Sequence, residues 1–398
     1  MLDRSRPVAP TGPVGLPPPR RVALIHYWLV GMRGGERVLE EMLRMYPQAD
    51  IFTHVVDRSR ISPSLLARPI TQTFVGRLPF AIRHYQKYLS LMPRALEELD
   101  LSAYDLVLSS ESGPAKGIIA RPDATHLCYC HSPMRYIWDH YPQYRATLDG
   151  PLGGIKRWAF ARMAHRLRQW DVTSAARVDR FVANSRFVAG RIQRVYGRAA
   201  SVVHPPVDTD RYDVGTGAIG QDRRGYYLYV SELVPYKRVD LAVGTFAGLD
   251  LPLKVVGRGP EFARMSRQAT ANVQMLGRVD DAALADLYRG ARALIFPGEE
   301  DFGIVPVEAM ACGTPVIAYG RGGILDSVRP GVTGTFFDTQ DIASLTDAVR
   351  SFEAARHSYD PAVIAAHARS FGAARFRREL QVQIDAARAR QSARLAPA

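Results

Sequence analysis
Glu300 and Glu308, with seven residues between them, are the most chemically suggestive pair in this chain. They lie in the stretch 293–318, ALIFPGEEDFGIVPVEAMACGTPVIA. Between them, Phe302-Gly303-Ile304 brings free backbone N–H groups to the start of a helix. Such a terminus holds a phosphate well. A carboxylate one turn into that helix can accept hydrogen bonds from a ribose diol. A carboxylate in the preceding loop can face a sugar attached to the phosphate. The plainer reading is a surface loop whose acids, Glu299, Glu300 and Asp301, simply favour a helix start.

Other candidates are spread along the chain. Lys237 and Arg238 follow a predicted strand and precede a helix, where they are placed to hold a diphosphate without a metal. His131 opens the string H-S-P-M-R-Y after the predicted strand at 125–130. Loops at the carboxyl ends of strands are where α/β proteins keep their ligands. Cys128 and Cys130 lie just before His131, but strand alternation points them differently from it and no second ligand pair follows, so structural cysteines are expected rather than a metal site. Gly34-Gly35 between a strand and a helix is a phosphate-approach geometry, although the string is not GxGxxG. Gly257 and Arg278 sit in strand-to-helix turns that by themselves are ordinary. Asp208-Thr209-Asp210 has the form of an acidic metal pair, but a structural turn is expected there.

The elements that must position these residues read as alternating strands and helices. Arg21-Val22-Ala23-Leu24-Ile25-His26 is a first strand, followed by a helix with Val38, Leu39, Met42 and Leu43 on its apolar face. Strands are expected at 104–110, 125–130, 180–185, 227–230, 253–256, 273–276, 293–296 and 316–318. Pro306 suits a first helical turn, and Gly313 before Thr314-Pro315 suits a helix stop. Residues 74–96 predict a basic amphipathic helix, with Ile82, Tyr85, Leu89 and Met92 as a stripe beside Arg83, Lys87 and Arg94, which either packs on the N-terminal domain or rests on an anionic bilayer. Val202 to Val207 runs extended through two prolines as a linker.

Taken together, EEDFGIVPVEAMACGTPVIA, H-S-P-M-R-Y-I-W-D and G-M-R-G-G-E-R-V-L resemble the family-4 retaining glycosyltransferases over residues 20–385. The resemblance implies α/β class and GT-B architecture, with two Rossmann-like domains facing across a cleft and a C-terminal helix crossing back to the N-terminal domain. It assigns 20–203 to an acceptor domain, 204–370 to a nucleotide-sugar domain and 371–398 to the returning helix, after a disordered Pro-rich tail at 1–19. It implies that Glu308 holds the nucleotide ribose and that Glu300 lies against the sugar and departing diphosphate. Lys237, Arg238 and the amides of Phe302, Gly303 and Ile304 would stabilise charge on that diphosphate. Gly34 and Gly35 would lie beside donor and acceptor, and His131 beside the donor sugar. The loops of Gly257 and Arg278 would flank the nucleotide, the second through backbone groups at the base. The family commonly carries Arg, four residues, Lys, where this chain has Glu232 and Lys237; Arg238 would then stand in for the usual arginine, and Glu232 either faces the site or pairs with Arg238.

The branch resembled most is that of bacterial mannosyltransferases of O-antigen and exopolysaccharide assembly. GDP-mannose is then the leading donor, a UDP-sugar the runner-up, and a saccharide or polyprenyl-diphosphate-linked saccharide the acceptor. No cofactor and no metal are expected. A nucleotide-sugar epimerase of the same architecture and a nicotinamide-dependent oxidoreductase are the rival classes. The second lacks a GxGxxG unit followed by a ribose-binding acid roughly twenty residues on.

Composition sets outer limits. The chain has 398 residues, 47% hydrophobic, enough for two cores. Its net charge of +13 is uneven: residues 1–205 hold 29 Lys and Arg against 16 Asp and Glu, and 206–398 hold 23 of each. A basic N-terminal half suits an anionic partner such as a phosphorylated acceptor or an anionic membrane. Without zinc-finger or RNP-like strings, nucleic acid is not expected. Three cysteines and no long apolar run suggest a cytoplasmic protein, peripheral on the inner face of the cell membrane.

Overall fold
The computed structural model describes residues 17–215 and 225–395. Most of the tail expected at 1–19 lies outside the described residues. Two all-parallel sheets form the framework. The first contains β1 (Val22–His26), β2 (Asp50–Thr53), β3 (Ile70–Gln72), β4 (Leu106–Glu111), β5 (Thr125–Cys130), β6 (Arg180–Ala183) and β7 (Ala200–Val202), in the order β3-β2-β1-β4-β5-β6-β7. The second contains β8 (Tyr226–Val230), β9 (Leu253–Val256), β10 (Val273–Gly277), β11 (Ala291–Phe296), β12 (Val316–Tyr319) and β13 (Gly334–Phe337), in the order β10-β9-β8-β11-β12-β13. Parallel strands covered by helices on both faces are shut off from solvent along their length, and β1, β4 and β5 are buried at every position.

Chain order reverses between β1 and β4 in the first sheet and between β8 and β11 in the second. The loops that leave these strands therefore diverge to opposite faces and open a crevice at each sheet's carboxyl edge. The segment after β1 leads to Gly34 and Gly35 at the start of the next helix, β4 ends in Glu111, and the segments after β8 and β11 carry Lys237 and Glu300.

Helix α1 (Gly34–Met45) buries Val38, Leu39, Met42 and Leu43, the predicted face. Helix α2 (Arg186–Tyr196) follows β6, and α3 (Ile304–Ala311) follows the acidic loop. The last helix, α4 (Ala373–Leu395), leaves the second domain and inserts Phe376, Leu380 and Ile384 into the core of the first. Its Gln381 and Gln383 side chains accept hydrogen bonds from Tyr46 (3.1 Å) and Arg180 (2.9 Å). The expected two-domain GT-B arrangement with a returning helix is therefore the observed one.

Two local expectations fail. The segment 74–96 is not one amphipathic helix: it breaks into a 3-10 turn at Phe74–Arg77, a helical turn at Ala81–His84, a 3-10 stretch at Tyr85–Leu91 and a short helix at Met92–Glu97. Pro79 and Pro93 interrupt the backbone donors, and Phe80 takes a left-handed conformation at φ 54°. The stripe consequently splits, with Leu89 and Met92 buried and Ile82 exposed. Glu232 does not pair with Arg238. It lies 3.7 Å from Arg33 of the other domain, while Arg238 pairs with Asp240 at 3.1 Å. Asp208 closes a turn, accepting from the Arg211 N–H at 3.3 Å.

Candidate active site
The three acids of the loop after β11 each have a different cation. Glu299 pairs with Arg321 at 3.3 Å. Glu300 pairs with Lys237, which arrives on the 3-10 turn Pro235–Lys237 after β8. Asp301 reaches across the cleft to Arg135 (2.6 Å) and Arg191 (2.9 Å) of the N-terminal domain. They do not cap α3, whose N-cap is Gly303 at φ 88°. In that left-handed conformation a side chain would be strained, and a Cβ there would lie 3.3 Å from the Phe296 ring.

The acid loop is braced from behind. Gly323 N–H donates to the Glu300 carbonyl at 2.8 Å, and a Cβ on Gly323 would fall 2.0 Å from the Asp301 carbonyl oxygen. Gly298 is similarly tight, since its Cβ would meet Lys237 Cα at 3.1 Å. These approaches bring Lys237 and Glu300 into contact from two separate strands.

Glu308 stands one turn into α3, half-buried, and accepts from the Tyr288 hydroxyl at 3.1 Å. Burial pushes its carboxyl up to about 7, against the pull of the Tyr288 hydrogen bond and the Arg37 charge. Arg37 lies on α1, so the opposite domain reaches this carboxylate electrostatically. Gly34, also on α1, faces the first residue of α3: a Cβ on it would lie 2.7 Å from Ile304 Cδ1. Phe302 points its ring into the core, stacked on His204 at 5.3 Å, so only its backbone is available to a ligand.

His131 is partly buried at the carboxyl end of β5. Its Nε2 is 2.8 Å from Ser110 Oγ, and its carbonyl accepts from Asn184 Nδ2 at 3.0 Å. Burial, with His26 nearby, lowers the imidazole to about 3, so it is neutral at physiological pH. Asn184 and Ser185 are the polar pair that follows β6. Ser185 caps α2, accepting from Val188 N–H at 3.1 Å, and its hydroxyl also donates to the Asp301 carbonyl.

The remaining predicted residues are placed less centrally. Arg238, at φ 57°, directs its guanidinium to Asp240 and to the Gln340 carbonyl (3.3 Å). Gly257 is demanded by packing: at φ 138° its Cβ would lie 1.8 Å from the Ser231 carbonyl oxygen. Arg278 is exposed after β10. Gly35 lies where a Cβ would meet the Tyr27 hydroxyl at 2.4 Å. Cys128 and Cys130 are buried free thiols, and among the described residues no metal-binding group of His, Cys, Asp and Glu gathers.

The structure therefore brings together Lys237, Glu300, Gly303, Ile304, Glu308, Gly34 and His131 around one cleft. It adds Asp301, Arg135, Arg191, Tyr288 and Ser110, none singled out from the sequence. Arg135 lay within the quoted H-S-P-M-R-Y string and Asp301 within the acid run, so both had a signal. Tyr288 and Ser110 had none, because their roles depend on packing between strands and helices.

Comparisons with known proteins agree with this layout. The model described as Glycosyltransferase Family 4 matches residues 32–211, and that described as Glycosyl transferases group 1 matches 219–369. The chain is 33% identical over 210 residues to the D-inositol 3-phosphate glycosyltransferase of Geodermatophilus obscurus, covering 46% of this chain and 47% of that protein. It is 29% identical over 297 residues to the protein of the same name from Mycobacterium sp. (strain KMS), covering 62% and 68%. The chain thus spans about half the length of the first curated relatives it matches. Anabaena Alr3699/HepE, solved in complex with UDP and glucose, superposes with a TM-score of 0.67 over 92% of this chain and 99% of that one, at 18% identity, a likeness of fold. Residues 32–211 are thus similar to Glycosyltransferase Family 4 and residues 219–369 to Glycosyl transferases group 1, and the two domains have the GT-B architecture.

Proposed function
We propose that the chain is a retaining, metal-independent glycosyltransferase that moves a hexosyl group from a nucleotide-sugar to a saccharide or lipid-linked saccharide. The observation that carries this reading is the meeting of Lys237 and Glu300 in front of the α3 N-terminus, with Glu308 one turn behind. The diphosphate would sit against the Gly303–Ile304 amides with Lys237 beside it. As the glycosidic bond breaks, negative charge builds on the leaving phosphate, and fixed donors aimed at that charge lower the barrier. Glu300 would position the sugar, and Glu308 would accept from the ribose. The acceptor hydroxyl attacks on the face from which the diphosphate departs.

GDP-mannose is the donor favoured by the sequence strings. A UDP-sugar is the second reading, supported by the complex of Alr3699/HepE with UDP and glucose. The curated relatives' name, D-inositol 3-phosphate glycosyltransferase, adds a phosphorylated polyol to the acceptors worth testing. Thermal unfolding with GDP, UDP, ADP or NAD, each with EDTA, separates the readings. A ligand bound only by the folded state stabilises it by roughly 2.7 kcal/mol at a hundred times its dissociation constant. A shift with GDP supports the mannosyl donor, one with UDP replaces it, and one with NAD alone overturns the proposal. Lys237→Ala is expected to lower turnover roughly a hundredfold, the size of a lost oxyanion donor; full transfer activity would count against it.

A lipid-linked acceptor implies work at the inner face of a membrane. No helix of the described residues is long and apolar enough to cross one. Exposed Phe80 and Ile82 lie among Arg77, Arg83 and Lys87, and exposed Leu152, Ile155 and Trp158 lie among Lys156 and Arg157. Apolar side chains within basic surroundings suit an anionic bilayer. Co-flotation with anionic liposomes that weakens with salt is expected, and its absence removes the membrane from the proposal.

A further inference from the structure
Four polar side chains form a line between β1, β4, β5 and α1. Glu36 Oε1 lies 3.8 Å from His26 Nε2, His26 Nδ1 lies 3.0 Å from Ser110 Oγ, and Ser110 Oγ lies 2.8 Å from His131 Nε2. Glu36, His26 and Ser110 are buried. The other Glu36 oxygen accepts the Arg33 N–H at 3.0 Å. His26 Nε2 is buried with no partner at hydrogen-bonding distance, so the Glu36 carboxylate is the group that faces it.

The line has a direction. Ser110 has one proton between two ring nitrogens, so it donates to one and accepts from the other. Burial raises the Glu36 carboxyl, but its interactions with His26 and the nearby backbone outweigh this and hold it below the usual range, so it is an anion. Beside an anion, an N–H on His26 Nε2 is attracted and a lone pair repelled. In a neutral His26 the Nδ1 is then bare, and Ser110 must donate to it. Ser110 Oγ is left to accept, so His131 donates from Nε2. The Nδ1 of His131, unengaged among the described residues, keeps its lone pair.

We propose that Glu36, His26 and Ser110 are positioning residues that fix His131 as its Nε2–H tautomer, so that a bare Nδ1 at the cleft accepts a hydrogen bond from a sugar hydroxyl. A bare nitrogen receives O–H groups and repels phosphate or carboxylate oxygens, so it selects a hydroxyl of the transferred sugar or of the acceptor. The assignment of that hydroxyl rests on the nucleotide-sugar reading of the cleft; the tautomer itself does not.

Long-range proton–nitrogen NMR of the full-length, histidine-labelled protein at about pH 8, where imidazoles are neutral, reads the tautomer directly. His131→Asn assigns the signal. The expected wild-type pattern is a protonated Nε2 and a bare Nδ1. In Glu36→Gln, the Arg33 N–H claims the amide oxygen and turns the NH2 toward His26. The line then reverses, His131 moves to its Nδ1–H tautomer, and turnover falls roughly tenfold, the size of one hydrogen bond. The nucleotide-induced thermal shift should survive in this variant. Ser110→Ala should leave His131 a mixture of tautomers. An Nδ1–H or doubly protonated His131 in the wild-type protein overturns the proposal, as does an unchanged tautomer in both variants. If the wild-type tautomer is as expected but no nucleotide binds, it is the glycosyl-transfer reading that fails.

Discussion
Glu308 is the residue on which burial and function pull in opposite directions. Its carboxyl is pushed up to about 7, chiefly by burial. The folded protein therefore holds a proton that the unfolded chain has already released between the ordinary carboxylate range and about 7. Stability from this group is complete below that window and is lost as pH rises through it. Nucleotide binding should run the other way, because a ribose diol donates more strongly to a carboxylate than to a carboxylic acid. Calorimetric titration should show affinity rising roughly fivefold as pH passes through about 7, reflecting about 1 kcal/mol between charged and neutral hydrogen bonds. Glu308→Gln should abolish that rise. A flat wild-type profile would remove Glu308 from the nucleotide site.

The acid loop and its glycine brace act together as an element. Gly322 and Gly323 stand behind the loop, and their missing side chains let the backbone lie against Glu300 and Asp301. Gly323→Ala would place a methyl 2.0 Å from the Asp301 carbonyl oxygen, so backbone must move. The expected cost is about 1–3 kcal/mol in denaturant unfolding, with a loss of turnover as Glu300 leaves Lys237. Gly34→Ala makes a useful contrast, because its methyl would meet only the tip of Ile304 at 2.7 Å, which can turn aside. Equal destabilisation by the two substitutions would show that the loop is not held by its brace.

The two domains of the molecule are tied both through α4 and across the cleft. Asp301 binds Arg135 and Arg191, and Asp326 binds the Arg186 side chain at 2.8 Å and its N–H at 2.7 Å. Asp301 is the more consequential, since its neighbour Glu300 is paired with Lys237 while Asp301 itself holds the other domain. Asp301→Ala leaves the half-buried Arg135 guanidinium without its carboxylate and Arg191 with Asp139 alone, at an expected cost of about 3 kcal/mol. It should also open the cleft, seen as a larger radius of gyration in small-angle scattering, with nucleotide binding retained. A variant as compact and active as the wild type would show that closure does not depend on this contact.

Periodicity and punctuation made much of this legible in the chain itself. Apolar runs bounded by glycine and proline located the strands other than β2, β3, β7 and β13, and Pro306 with Gly313 bounded α3 closely, because these signals are local and obey backbone sterics. The Glu300–Glu308 spacing and His131 were visible because short strings carry them. The 74–96 segment misled, since side-chain periodicity says nothing of the left-handed turn at Phe80 that splits the stripe. The partners of Glu232 and Arg238 were missed for another reason: long charged side chains choose among several neighbours, and Arg33 lies nearly two hundred residues away in sequence. Likewise Ser110 was only a polar strand end until the pairing of β4 with β1 and β5 set it between His26 and His131. Local backbone preference is written residue by residue; which side chains meet across strands and domains is decided only when the sheets assemble.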